Sequence, residues 1–459
     1  MKYLRAFGLV VVLGGLLAMS VQAQGPPGSW TTDFTILNLE DSAGTVNITR
    51  YAECETGCSE DLGTLVKEEA IAANGSYYYN PALDSTFPNN WSGSIVVSSD
   101  RQIAATVTVA NSESGSDYAS DAYSGVSVVE DSVFLPIVMG SLGSWNTLMA
   151  IQNVGSATTD VTIEYIGSGA PANTTISNLP PNMTAIVDQQ ENTGMSNFNG
   201  SALVTASGGQ PLAIVVEEYK TTGGVLVNYV GIPLSQADTT IYMPGFIAQN
   251  VWATDFTIVN TTGNLATVDI AFSGASNALH GTIAANGSAY VNGYTGNYPS
   301  GWTGSAPTSG YYGSATVTSD EDVVIVYNIS NSAAGGAGNF SVGYVGAPST
   351  QGATDVAVPL IENQYSTGWD TTFSVQVISG GTANLSMVYS GNMAASCNPC
   401  TASVTGSGTF NQVTDGHVPT GFLGGVTITS DTDIVVIGDQ NKTGGSGDTA
   451  AGFPGIPIP

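Results

Sequence analysis

The sequence predicts an all-β chain: four tandem immunoglobulin-like β-sandwich repeats after a cleaved signal peptide. Three observations carry this. Runs that alternate apolar and polar residues, rich in Val, Ile, Thr and Tyr, are broken every ~8–12 residues by Gly, Asn, Ser and Asp. Four tryptophans, Trp30, Trp145, Trp252 and Trp369, open similar segments at spacings of 115, 107 and 117 residues. No stretch beyond the N-terminal leader keeps the 3.6-residue period of a helix. A repeat of about 110 residues is the size of one sandwich.

The leader comes first. Lys2 and Arg5 precede an apolar run from Phe7 to Met19, and Val21-Gln22-Ala23 has the small residues of a cleavage site. The run is short of the ~20 residues that span a bilayer. Residues 1–23 therefore read as a signal peptide, and the product as secreted, extracellular or cell-surface, with no membrane span. The repeats are then expected at 24–131, 132–239, 240–354 and 355–459.

Each repeat follows one order. The Trp begins a strand, as in Thr32-Asp33-Phe34-Thr35-Ile36-Leu37-Asn38 and Thr254-Asp255-Phe256-Thr257-Ile258-Val259-Asn260. A second strand follows, from Val46, Val161, Val268 or Leu385. Late in the unit comes a Gly-Ser strand and a Ser-Asp turn: Gly93-Ser94 to Asp100, Gly313-Ser314 to Asp320, and Gly424-Gly425 to Asp431. The second copy turns with Ser207-Gly208-Gly209 instead. The apolar run after each turn predicts a β-hairpin. Copies two to four close with Tyr229-Val230-Gly231-Ile232-Pro233, Tyr344-Val345-Gly346-Ala347-Pro348 and Phe453-Pro454-Gly455-Ile456-Pro457.

Between copies lies an apolar segment with a proline, marked by Phe134 and Pro136, Tyr242 and Pro244, and Val358 and Pro359. Proline lacks the N–H that a central strand needs, so these read as edge strands joining neighbouring units. There are four repeats and three such strands. One terminal unit is expected to lack its strand, leaving a sheet edge for another chain to complete.

The cysteines fall in two local pairs, Cys54/Cys58 and Cys397/Cys400, at the same place in copies one and four. In an exported chain they read as two disulfides, each closing a short loop.

The chain carries 7 Lys+Arg against 36 Asp+Glu, a net charge of −29, and only 9% charged residues. That balance excludes nucleic acid as a partner, since phosphate binding needs clustered cations. There are two histidines, His280 and His417, in loops away from any catalytic motif. No catalytic or cofactor-binding residues stand out, so the chain is expected not to be an enzyme. Asp320 with Asp322, and Asp431 with Asp433, place two acids at a turn and are candidate calcium ligands. The same aspartates can instead cap their own backbone.

The order of Pro-containing strand, Trp strand, Gly-Ser strand, Ser-Asp turn and Tyr-x-Gly-x-Pro resembles the tandem immunoglobulin-like repeats of exported bacterial surface proteins, of the kind found in the Chloroflexota. The resemblance implies a surface role and supplies no catalytic residues. It leads to an exported structural protein, four sandwiches in a row, that self-associates into a filament, sheath or layer. The alternative is a monomeric adhesin or carbohydrate-binding protein, with Tyr77-Tyr78-Tyr79 and Tyr311-Tyr312 as contact points.

Overall fold

The structure, a computed structural model, describes residues 10–16, 26, 28–54, 58–88, 91–111, 118–192, 194–222, 224–249, 252–293, 296–307, 310–331, 340–366, 368–442 and 448–458. It is built from strands in four sandwich units.

Unit 1 holds β1 (Val10–Leu16), β2 (Trp30–Asn38), β3 (Gly44–Ala52), β4 (Thr64–Ile71), β5 (Ser76–Tyr79), β6 (Ser92–Ser99), β7 (Ile103–Asn111) and β8 (Ser120–Ser124). Unit 2 holds β9 (Ser132–Gly140), β10 (Trp145–Asn153), β11 (Thr159–Ile166), β12 (Thr174–Leu179), β13 (Thr184–Asp188), β14 (Phe198–Ala206), β15 (Leu212–Lys220), β16 (Leu226–Val230) and β17 (Ile232–Pro233). Unit 3 holds β18 (Asp238–Gln249), β19 (Trp252–Asn260), β20 (Ala266–Phe272), β21 (Ala278–Ile283), β22 (Ser288–Asn292), β23 (Thr303–Gly304), β24 (Tyr311–Asn331), β25 (Ser341–Val345) and β26 (Ala347–Pro348). Unit 4 holds β27 (Ala353–Tyr365), β28 (Trp369–Val377), β29 (Thr382–Gly391), β30 (Cys400–Thr405), β31 (Ser407–Asn411), β32 (Phe422–Lys442), β33 (Ala450–Pro454) and β34 (Ile456–Pro457).

Unit 2 shows the common plan. One sheet runs β12-β11-β14-β9-β17 and the other β13-β10-β15-β16. All pairs are antiparallel. Alternation writes the core: β11 buries Val161, Ile163 and Tyr165 and turns Asp160 and Glu164 outward.

The expected β-hairpin does not form. β6 pairs with β1 and β3, whereas β7 pairs with β2 and β8. The Ser-Asp turn is a corner at which the chain leaves one sheet for the other. In units 3 and 4 the corner is continuous strand, β24 and β32, each of 21 residues and each serving both sheets. Strands that switch sheets are a recognised way to turn such a corner.

The linker strand belongs to the unit that follows it. β9, β18 and β27 pair with β14, β24 and β32. They are not free edges, because β17, β26 and β34 pair on their other side. Among the described residues, unit 1 is thus the unit with no proline-containing linker strand ahead of β2. Its place is taken by β1, within residues 1–23, in register from Val10↔Ser98 to Leu16↔Ser92.

The four units do not lie in a row. They close into a ring. β8 lies against β16, β16 against β25, β25 against β33, and β33 against β8. The cores interlock in the same order. The first takes in Leu148, Val215 and Tyr219 of unit 2, and the second Val259, Val324 and Val326 of unit 3. The third takes in Ile437 and Ala450 of unit 4, and the fourth Ala122 of unit 1.

On the ring axis these four strands turn their free backbone edges toward one another. Buried N–H groups must find acceptors. Asp121 supplies them: its carboxylate accepts from Ala122 (2.8 Å), Gly452 (2.7 Å), Asn228 and Gly343. These four residues precede the closing aromatics Tyr123, Phe453, Tyr229 and Tyr344, one from each unit. A carboxylate has about four lone-pair sites, which matches four donors. Asp448 serves a second layer: its side chain accepts from Ser341 (3.0 Å), Leu226 (3.4 Å) and Ala450, and its carbonyl from Ser120 (3.0 Å). Close approach needs glycine here. A Cβ on Gly343 would stand 2.7 Å from the Asn228 carbonyl oxygen, and one on Gly452 2.9 Å from the Tyr344 ring.

Asp121→Ala would leave four buried N–H groups without an acceptor, at about 1–3 kcal/mol each. A clear fall in the urea midpoint is expected, with a smaller fall for Asp121→Asn, which keeps one acceptor oxygen. An unchanged midpoint in the alanine variant would contradict this role.

Candidate functional site

The features that point beyond folding lie at the four unit boundaries. The linker strand forms one wall of each: β9 approaches β19 and β24, β18 approaches β28 and β32, and β27 approaches β2 and β7. At the boundary of units 1 and 2 that wall is β1, which approaches β15.

Two boundaries open into equivalent clefts. The cleft between units 3 and 4, ≈ 230 Å³, is lined by Trp252, Tyr312, Ile437, Ser374, Asp439 and Asn441 among others. Tyr312 Oη lies 3.1 Å from Ser374 Oγ and accepts from Thr409 Oγ1 (3.2 Å), which ties the units together. The cleft between units 4 and 1, ≈ 190 Å³, is lined by Trp369, Glu362, Gln440, Asp33, Tyr78 and Tyr118 among others.

The repeated tryptophans are distributed accordingly. Trp30 is buried, and its Nε1 donates to the Pro26 carbonyl (3.0 Å). Trp145, Trp252 and Trp369 are half-buried. Lys220 Nζ sits 4.8 Å from the Trp145 ring centre and Lys442 Nζ 5.9 Å from that of Trp369. Phe340 stacks on Trp252 at 6.0 Å. Two of the chain's few cations are thus held by aromatic faces. Tyr78 and Tyr312, from the two tyrosine runs, both reach clefts.

The linker residues Phe134, Pro136, Tyr242, Pro244, Val358 and Pro359 are buried. The prolines fall where the pairing slips, between Gly200 and Ala202, Met243 and Phe246, and Val358 and Ile361. A bulge removes the need for the N–H that proline lacks.

The aspartates at the corner do a backbone task. Asp320 accepts from the Thr267 N–H (2.6 Å) and Asp431 from the Asn384 N–H (2.8 Å). Asp100 does the same for Thr45 (2.7 Å), and Ser207 Oγ for Asp160 (3.0 Å). One turn position thus caps the start of one strand in all four units, with or without a second acid. Among the described residues the potential metal-ligand cluster is Cys397, Cys400 and His417, which does not include Asp322 or Asp433. Its two sulfurs are joined in a disulfide.

Both disulfides are present, Cys54–Cys58 and Cys397–Cys400. They fit an oxidising environment. The first pair packs on the core of unit 2, and the Cys54 N–H donates to the Thr184 carbonyl (2.7 Å). His417 Nδ1 lies 3.0 Å from Tyr389 Oη, and His280 pairs with Asp269 on an exposed face. Among the described residues no helix is long and apolar enough to cross a membrane.

Sequence reasoning missed the buried acids. Their signal was an acid inside an apolar strand, as in Ile214-Val215-Val216-Glu217-Glu218 and Val435-Val436-Ile437-Gly438-Asp439. Every boundary has one. Glu217 lies near Tyr123, across from unit 1. Glu218 accepts from Asn328 Nδ2 of unit 3 (3.0 Å). Asp439 faces unit 3, and Asp33 faces Glu362 across the last boundary. Burial pushes Glu217 and Glu362 up to about 8, Asp439 to about 7, and Asp255 and Asp33 to about 6. Asp121, Glu218 and Asp448 are pushed well up by the same cause.

No protein-family model matches the chain, and no curated protein matches it. Among solved structures, the chain has a weak similarity to a tetra-tandem repeat in the extending region of a large adhesion protein. That chain is 12% identical over 98% of this chain and 99% of its own, with a TM-score of 0.10.

The raised carboxyls fix the sign of the pH dependence. An acid whose folded pKa is raised binds more protons folded than unfolded, so stability falls as pH rises through the interval. Asp320 and Asp431, held low by backbone N–H donors, act the other way below about pH 4. The melting temperature is therefore expected to peak near pH 4 and fall toward pH 8. Glu217→Gln with Glu362→Gln should flatten that fall in a thermal scan. A melting temperature that rises from pH 4 to 8 would contradict the assignment.

Proposed function

We propose that this is an exported, non-enzymatic structural protein of the cell surface, built into a filament, sheath or layer through β-strand edge contacts. One observation carries the reading. Three unit boundaries are walled by a strand of the repeat region, while the fourth depends on Val10–Leu16, which lies in the leader. Leader removal at Ala23 leaves a folded body with one strand position open, and open strand positions template association.

The ring changes how that association works. The edges of β8, β16, β25 and β33 are spent on the axis, so head-to-tail joining of a row of beads has no free edge there. The position along β6 takes its place. The non-enzymatic reading rests on the two histidines, both engaged with neighbours, and on the absence of a catalytic motif in the sequence.

The test is light scattering of protein released from the surface of the cells that make it. The account expects it in high-mass species. Release as a monomer of leaderless mass would contradict it.

The clefts favour a second reading, a monomeric adhesin or carbohydrate-binding protein. Trp252 beside Asp439 and Asn441, and Trp369 beside Asp33 and Gln440, combine an aromatic face with polar side chains. On this reading Trp252→Ala with Trp369→Ala would abolish a glycan-array signal given by the leaderless protein. A blank array for the unsubstituted protein would remove it.

A further inference from the structure

We infer that β6 of unit 1 is a strand-acceptor site, filled after leader removal by a proline-containing apolar strand from a different polypeptide. This rests on the reading above that the leader is removed on export.

The three equivalent positions define what such a site takes. Val133 and Leu135, Ile241 and Met243, and Val356 and Val358 alternate into their cores, each at 1% exposure or less. A proline and a bulge follow in each strand. Beyond the bulge an apolar residue returns to the core: Val138, Phe246 or Ile361, each at 0%.

β6 offers the acceptor half of this arrangement. Its Gly93-Ser94 stands where the other units have Gly200-Ser201, Gly313-Ser314 and Gly424-Gly425. A Cβ on Gly93 would stand 2.1 Å from the Tyr51 carbonyl oxygen of β3, the same approach to the neighbouring strand on the far side that Gly200 makes to Ile166 and Gly424 to Ser390, so β6 is the counterpart of β14 and β32. In unit 2, Ser201 Oγ donates to the carbonyl of Pro136 in the bulge (2.7 Å). In unit 1 the buried Ser94 Oγ has no hydrogen-bond partner among the described residues, as is also true of Ser314.

The leader fills this position without matching it. β1 has no proline, and its seven pairs run without a register shift. A second copy of the chain does not supply the match, because β9, β18 and β27 are each engaged in their own unit. The occupant is therefore another chain with a free strand of about this length, patterned apolar-x-apolar-Pro and then apolar again. Strand addition of this kind draws affinity from main-chain hydrogen bonds and specificity from alternate side-chain pockets. Because the position also walls the boundary with unit 2, the incoming strand would complete the ring as it docks.

The test uses exported protein, with its N-terminus read by mass spectrometry, beside the uncleaved chain. The probe is a labelled peptide of the Asp238–Gln249 sequence. A third protein carries the Ser132–Gly140 sequence fused ahead of Gly28. The leaderless protein should bind the peptide one to one and melt at a higher temperature with it. The uncleaved chain and the fusion should bind about tenfold more weakly or less. A peptide with Ile241→Asp and Met243→Asp should not bind. If residues 24–459 do not fold alone, refolding yield with and without peptide answers the same question, and recovery supports the site. A folded leaderless protein that ignores the peptide, equal binding by the uncleaved chain, or no recovery on refolding would overturn it. So would leaderless chains polymerising alone regardless of peptide. Retention of the leader in the exported protein would sink the removal reading separately, with the peptide titration still reporting on β6.

Discussion

Four strand edges meet on one axis, and the ring depends on where their N–H groups go. Ordinary sheets satisfy an edge with another strand or with water. Between β8, β16, β25 and β33 side chains do this instead. Two carboxylates stand in, Asp121 from unit 1 and Asp448 just ahead of β33 of unit 4. Each gathers donors from several units, so a symmetric arrangement of backbones is held by two unsymmetric residues. They come from the first and last repeats. The same contacts therefore decide both that the units associate and that the ring closes between its ends.

This helps explain the composition. A surface with few cations leaves buried acids without ion partners, and the boundary acids are instead held by amides, Glu218 by Asn328 and Glu362 by Gln440. Such partners do not cancel the cost of taking a carboxylate out of water. The acids answer by holding their protons. The boundaries are thus neutral hydrogen-bonded seams at acidic pH and become charged as pH rises. What closes the ring also makes it sensitive to its surroundings.

Much of each unit was legible because its signals are local. Alternation placed β2, β11 and β20, and the repeated Trp marked the start of the same strand in each unit. The Ser-Asp turn misled because a hairpin and a corner between sheets use the same turn residues. Only the pairing of β6 with β3, and of β7 with β2, separates them. The shortage of one linker strand was countable, but its owner was not, since ownership is a matter of register. The ring was hidden because its contacts join residues such as Ser120 and Asp448, over three hundred positions apart. The lone acids in apolar strands were visible and were passed over.

Ring closure is the claim on which the rest stands, and small-angle X-ray scattering tests it most directly. A compact body of this length has a radius of gyration of about 23 Å. The account predicts a value near that for the chain in dilute solution at acidic pH. A radius roughly twice as large, with the scattering of an elongated particle, would mean that the four sandwiches lie in a row and that Asp121 and Asp448 do not hold them together.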